Sequence, residues 1–284
     1  MKAAAFDYHA PASIEEALAI LSRHGDEARI IAGGQSLVPV MTSRLARPSH
    51  LVDINRIPRM ERPTVSAGRL RIPPLMRHID FEVLDVAGPL GPLLAELSGH
   101  IAHLPVRLRG TFCGAVAHAD PASEWCLAAV VLGADLVARS SRRGVRTIPA
   151  ERFFESIMAT ALADDEMLVE VQVPLLPATA RTGFAEVSQR AGSYALALSL
   201  VVYDRDEKDI VNARIGVGGV EARPRRLRDA EALLHRREPS RRLFREVADA
   251  AASLVDPVGD VHGDADWRRE LTRATVFRAL ERTL

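Results

Sequence analysis

The sequence predicts a two-domain α+β protein. Three observations carry this reading. The chain has 284 residues, 48% of them hydrophobic, enough for more than one core. A proline-spaced stretch, VPLLPATARTG, marks a boundary near residues 175–180. The patterning also changes there. Strands and helices are mixed before the boundary, whereas three strand-like runs followed by helical text come after it. The expected division is 1–176, with subdomains of about 1–57 and 58–176, and then 177–284.

SIEEALAILSRHG reads as an amphipathic helix, with Ser13 and Glu16 at capping-box spacing and Gly25 at its stop. ARIIA reads as a buried strand of β-branched residues that runs into Gly33-Gly34-Gln35-Ser36. A short helix from about Leu37 and a strand at HLVDI complete a β-α-β unit. LRI is a further strand, stopped by Pro73-Pro74, and GPLLAELSGHIAHL is a helix. Asp120-Pro121 is the expected start of a helix through EWCLAAVVLG, with proline at its first position and Gly133 at its end. ADLVARS, VRTIP and MLVEVQVP read as strands, the last two flanking a short helix at AERFFESI. In the second domain GFAEVSQR, YALALSLVVYD and DIVNARIGVGGV form three strands, with a hairpin turn at DRDEKD. RRLRDAEALLHRR, SRRLFREVADAAASLV and ADWRRELTRATVFRALERTL then supply helices. The module is an antiparallel three-stranded sheet with helices against one face.

Composition excludes several function classes. Basic and acidic residues number 37 each, which removes a nucleic-acid footprint and an acidic tail. Cys113 and Cys126 are too few for a zinc ribbon, an iron–sulfur cluster or a disulfide framework. The first residues carry no signal-peptide pattern and no apolar run reaches membrane-spanning length, so the expected location is cytoplasmic.

AGGQS presents successive backbone N–H groups with little side chain in the way, and a helix follows it. That combination suits a phosphate or pyrophosphate. A plain tight turn explains the stretch about as well. The loop is neither G-x-G-x-x-G nor a P-loop, so neither a Rossmann site nor ATP hydrolysis is supported. GTFCGAVAHADP is a second small-residue loop, and two such loops can grip the two phosphates of a dinucleotide. Asp120 can bond a ribose hydroxyl, cap the following helix, or do both.

AGGQSLVPVMTSRLARPSHLVDINRI and IAHLPVRLRGTFCGAVAHADPASE resemble the two flavin-binding signatures of the FAD-carrying medium subunit of molybdenum hydroxylases. This family includes aerobic carbon monoxide dehydrogenase, nicotine and caffeine dehydrogenases, and the flavin domain of xanthine dehydrogenase. IGVGGVEARPRRLRDAEALL and DVHGDADWRRELTRATVFRALE resemble its C-terminal domain. The resemblance spans the chain. It implies a two-part FAD-binding domain of the vanillyl-alcohol-oxidase (PCMH) type ahead of the α+β module. It also implies that Ala32, Gly33, Gly34, Gln35 and Ser36, with Leu37 beyond them, wrap the pyrophosphate. By the same resemblance Thr111, Cys113, Gly114 and Ala115 would form the second phosphate loop, with His118 also among the cofactor-binding residues. By that resemblance Asp120 would lie near the adenosine part, and Tyr194 would match an aromatic position that covers the isoalloxazine ring and can gate access to it. The sequence departs from the family at Pro73-Pro74, at Leu108 and at Cys113, which stands where a glycine is usual.

The implied activity is that of an oxidoreductase subunit with no catalytic residue of its own. It passes electrons from the [2Fe-2S] clusters of a small subunit to an external acceptor. A large molybdopterin subunit carries the substrate chemistry, and the assembly is a dimer of heterotrimers. Two alternatives stand beside it: a stand-alone FAD-dependent NAD(P)H reductase of the same fold, and a flavin-free scaffold. His100, His103 and His118 suggest a metal only weakly, since no carboxylate or cysteine completes the set, and no metal site is expected. Asp120 and Glu124, four apart, read more simply as a cap and a surface carboxylate than as an acid–base pair. Cys113 reads as a packed small residue rather than a reactive thiol. The arginines at 223–228 and 236–242 read as a solvated face or partner contacts.

Overall fold

A parallel three-stranded sheet opens the chain, in the order Asp7–His9, His50–Asp53, Ala28–Ile31. The computed structural model describes residues 2–58 and 60–284. Helix Ile14–His24 forms where the sequence places it. Ser13 Oγ accepts from the Glu16 N–H at 3.1 Å, and Gly25 ends the helix. Its buried Ala17, Leu18 and Leu21 pack with Val52 and Ile54. Strand Asp7–His9 was not anticipated, because three residues are too short to show alternation.

The next layer is a five-stranded sheet, in the order 64–66, 69–72, 166–174, 135–140, 144–149. Its central strand Glu166–Pro174 bonds antiparallel to neighbours on both sides, with Val171 opposite both Ile72 and Leu136. The final strand before the proline-spaced stretch is therefore the one that joins this sheet's two halves.

After residue 180 comes an antiparallel sheet of Arg181–Ser188, Ala195–Asp206 and Asp209–Gly218. A fourth, two-residue edge strand, Arg225–Arg226, adds to the three expected. Helices Arg241–Leu254 and Ala265–Glu281 cover one face with an apolar cluster that includes Phe244, Val247, Val276 and Leu280. The other face is also covered, by helix Glu124–Leu132 of the preceding region. Every residue of that helix from Trp125 to Leu132 is buried. It packs tightly enough that a Cβ on Gly216 would lie 2.2 Å from Val131 Cγ2.

The start of this helix corrects the sequence reading. It begins at Glu124, after Ser123, and not at Asp120-Pro121. The carbonyls a longer helix would use are already engaged: Ala119 O accepts from the Met158 N–H and Pro121 O from the Gly219 N–H at 2.8 Å. Asp120 instead accepts from the Ala122 N–H at 2.9 Å, within the turn.

Candidate flavin site

The strand Ala28–Ile31 delivers the chain into Ala32–Ser36, and helix Leu37–Thr42 carries it away. The two glycines do different work. Gly34 has φ +72°, in the left-handed region that suits glycine. Gly33 provides close approach: a Cβ there would stand 2.2 Å from Arg109 O and 2.7 Å from Gly110 Cα. The first segment therefore lies directly on the start of the second. Among the described residues, the N–H groups of Gly34, Gln35 and Ser36 meet no protein acceptor. The Gln35 side chain donates to Gly33 O at 3.0 Å, holding the turn.

The second segment is the first turn of a helix, Phe112–His118, rather than a loop. Thr111 caps it, its Oγ1 accepting from the Gly114 N–H at 3.1 Å. Ala119, in the left-handed region at φ +55°, ends it and turns the chain toward Asp120.

A cleft of about 620 Å³ runs between the two segments. All the expected site residues line it except Asp120 and Tyr194. Those two line an adjoining cavity of about 390 Å³, and Met158 borders both spaces. Tyr194 is exposed, and its hydroxyl lies beside that of Ser36. Desolvation raises its pKa, and the negative charge of Asp120 adds to the rise.

Several residues of this site were missed in the sequence. Asn55 Nδ2 donates to Ala32 O at 2.7 Å, and its Oδ1 accepts from Arg77 at 2.7 Å. Arg77 also donates to Arg109 O. One side-chain bridge thus joins the carbonyls of both segments. His78 lines the cleft with its ring buried. An asparagine just past a strand that neighbours a glycine turn was the available signal for Asn55.

Other candidates separate. His100 ends helix Leu90–His100 and His103 caps the next one, so they share no helix face. His118 is in the cleft, and among the described residues these three do not gather as metal ligands. Glu124 is not the surface carboxylate expected: burial pushes its pKa up to about 8, with smaller contributions from Glu186 and Asp120.

Comparison with known proteins assigns the family. Residues 4–176 match the FAD binding domain in molybdopterin dehydrogenase, and residues 183–283 match the CO dehydrogenase flavoprotein C-terminal domain. The chain is a FAD-binding medium subunit of the molybdenum hydroxylase family. It is 37% identical to the nicotine 6-hydroxylase medium subunit of Paenarthrobacter nicotinovorans, over 100% of both chains. It is 33% identical to the carbon monoxide dehydrogenase medium chain of Hydrogenophaga pseudoflava, over 97% of this chain and 96% of the relative. The structure of carbon monoxide dehydrogenase from that organism superposes with TM-score 0.95 at 34% identity, covering 100% of this chain and 98% of the other. Quinoline 2-oxidoreductase from Pseudomonas putida 86 gives TM-score 0.92 at 35% identity, covering 100% and 98%.

The medium subunit is thus an oxidoreductase component whose cofactor is FAD, and its relatives are subunits of multi-subunit dehydrogenases. Among the described residues, no helix is long and apolar enough to cross a membrane. The departures from the family pattern have structural accounts in this subunit. Cys113 is helical and does not take positive φ, so no backbone strain arises. Its Sγ lies 3.6 Å from Ile72 O and Pro73 O, and burial pushes the thiol pKa far up, which makes it an inert packing residue. Pro74 lines the cleft wall, and Leu108 is exposed at the end of helix Leu104–Arg107.

Proposed function

We propose that this subunit holds FAD across the two adjoining cavities and serves as the electron outlet of a heterotrimer. Electrons arrive from the [2Fe-2S] clusters of a small subunit and leave to an external acceptor. Substrate chemistry belongs to a large molybdopterin subunit, and two heterotrimers pair. One observation carries the reading: Gly33 lies against Arg109-Gly110, which leaves a Cβ-free floor edged by the N–H groups of Gly34, Gln35 and Ser36, which meet no acceptor among the described residues.

That floor fits the FAD pyrophosphate. Backbone N–H groups supply fixed donors, and the absence of side chains lets the phosphates approach. Thr111, Gly114 and Ala115 close the opposite wall. Asp120 shares a cavity with Tyr194, which supports placing it toward the ring end rather than at the adenosine. Tyr194, exposed beside Ser36, is positioned to cover the ring and govern access to it. FAD, when bound, supplies the two-electron chemistry that couples one-electron iron–sulfur donors to an acceptor. The protein supplies binding, orientation and exclusion of water.

A visible spectrum of the purified chain, with chromatography of the released flavin, tests the reading. About one FAD per chain is expected. No flavin, even after incubation with FAD, overturns it. Turnover of the isolated chain with NAD(P)H would instead favour a stand-alone reductase.

A further inference from the structure

The central parallel strand runs from His50 to Asp53, and its Asp53 end lies opposite Ile31, where the chain enters the glycine turn of the cleft. At its His50 end three imidazoles meet. His9 ends the edge strand, His24 is the last residue of helix Ile14–His24, and His50 opens the central strand. Each offers one ring nitrogen, and these nitrogens lie within 4.8 Å of one another. His9 Nε2 and His50 Nδ1 are 3.1 Å apart, and the His24 and His50 ring centroids are 3.6 Å apart. All three are half-buried. An Asp7 carboxylate oxygen stands 3.7 Å from His50 Nδ1.

We propose that His9, His24 and His50 form a binding site for a divalent transition cation of the zinc class. Zinc–imidazole bonds of about 2.0–2.1 Å in tetrahedral geometry place ligand nitrogens roughly 3.4 Å apart. One pair is near that separation already, and the third needs only a side-chain adjustment. Three imidazoles leave a fourth position for water or for Asp7. Imidazole ligands favour zinc, copper and nickel and disfavour magnesium and calcium.

The surroundings suit a cation. His24 sits in the last turn of its helix, where the carbonyl ends carry partial negative charge. Glu27 and Asp7 lie near the trio on the acidic side, and Arg23 on the basic side. The cation would clamp a three-residue edge strand to a helix end and to the central strand. Its role is structural, and the site is separate from the flavin cleft.

The test uses the full chain without a polyhistidine tag, stripped with chelator. Zn²⁺ is titrated calorimetrically, and Co²⁺ is followed by its visible absorption. One equivalent of Zn²⁺ and the intense bands of four-coordinate Co²⁺ are expected, with no competition from Mg²⁺. His9→Gln, His24→Gln and His50→Gln should each weaken binding at least ~100-fold, since even second-shell losses cost about 10–100-fold. Circular dichroism and flavin content matching the wild type show that the variants are folded. If they fail to fold, the wild-type cobalt spectrum decides. No binding, a six-coordinate cobalt spectrum, or binding unchanged in folded variants overturns the site.

Discussion

The indole Nε1–H of Trp125 donates a 2.9 Å hydrogen bond to Nδ1 of His78, and both rings are buried. The bond assigns the neutral imidazole proton to Nε2, the atom that would stand 2.5 Å from a Cβ on Gly110. Burial, then the nearby Arg77 and Arg107, holds the His78 pKa down at about 4. An unfolded histidine titrates near 6.5. As pH falls through that value, the unfolded chain takes up a proton that the folded chain refuses. Stability present at pH 7 is therefore lost progressively as pH falls from about 6.5 to about 4, by roughly 3 kcal/mol in all. Denaturant unfolding at pH 7 and pH 5 should show this loss in the wild type and a smaller one in His78→Gln. Equal losses would remove His78 as the cause.

The two glycines of the first segment should fail differently. Gly33→Ala forces a methyl into Arg109 O and should abolish FAD retention on gel filtration. Gly34→Ala meets only the Ile31 and Val38 side chains, at 3.2 Å, but pays for positive φ, roughly 1–2 kcal/mol. It should bind FAD more weakly yet measurably, whereas Gly34→Val should lose it. Full flavin content in Gly33→Ala or Gly34→Val would show that the floor is placed wrongly.

Asn55→Ala should weaken both fold and cofactor binding. It leaves the Ala32 carbonyl and Arg77 without a shared partner, a loss of about 1–3 kcal/mol. Asn55→Asp can keep the Arg77 contact but cannot donate to Ala32 O, and it faces Asp53. FAD affinity and denaturant midpoint should fall in both variants. A variant that keeps both would make the bridge incidental.

Tyr194→Ala should retain FAD, because the phosphate floor is untouched, while changing the rate at which reduced flavin is reoxidised by a small acceptor. Tyr194→Phe separates the ring from the hydroxyl that lies beside Ser36. Stopped-flow reoxidation identical across all three proteins would remove the gating role.

Local patterning made much of the molecule legible. The capped helix at Ile14–His24, the glycine turn and the long strands after residue 180 declare themselves within a few residues. Features set by distant partners did not. The Arg77–Asn55–Ala32 bridge joins residues scattered along the chain. The delayed start of the helix at Glu124 depends on Met158 and Gly219 taking carbonyls that local sequence would give to the helix. The three histidines gather because strand pairing brings Asp7–His9 beside the His50 strand and the end of helix Ile14–His24 brings His24 to them. In the cleft, close approach at Gly33 was foreseeable, but its target, the Arg109 carbonyl, was not.

Helix Glu124–Leu132 is greasy on every side, and the partner for one of those sides lies beyond the proline-spaced stretch. A truncation at the proline-spaced stretch would therefore strip the buried Trp125–Leu132 stretch of the cover that the second sheet supplies and expose apolar surface. Chimeras that exchange C-terminal halves between relatives must move the matching helix with them, down to the notch that Gly216 leaves for Val131. For protein engineers, the workable cassette boundary in this chain is a packing seam rather than a position in the sequence.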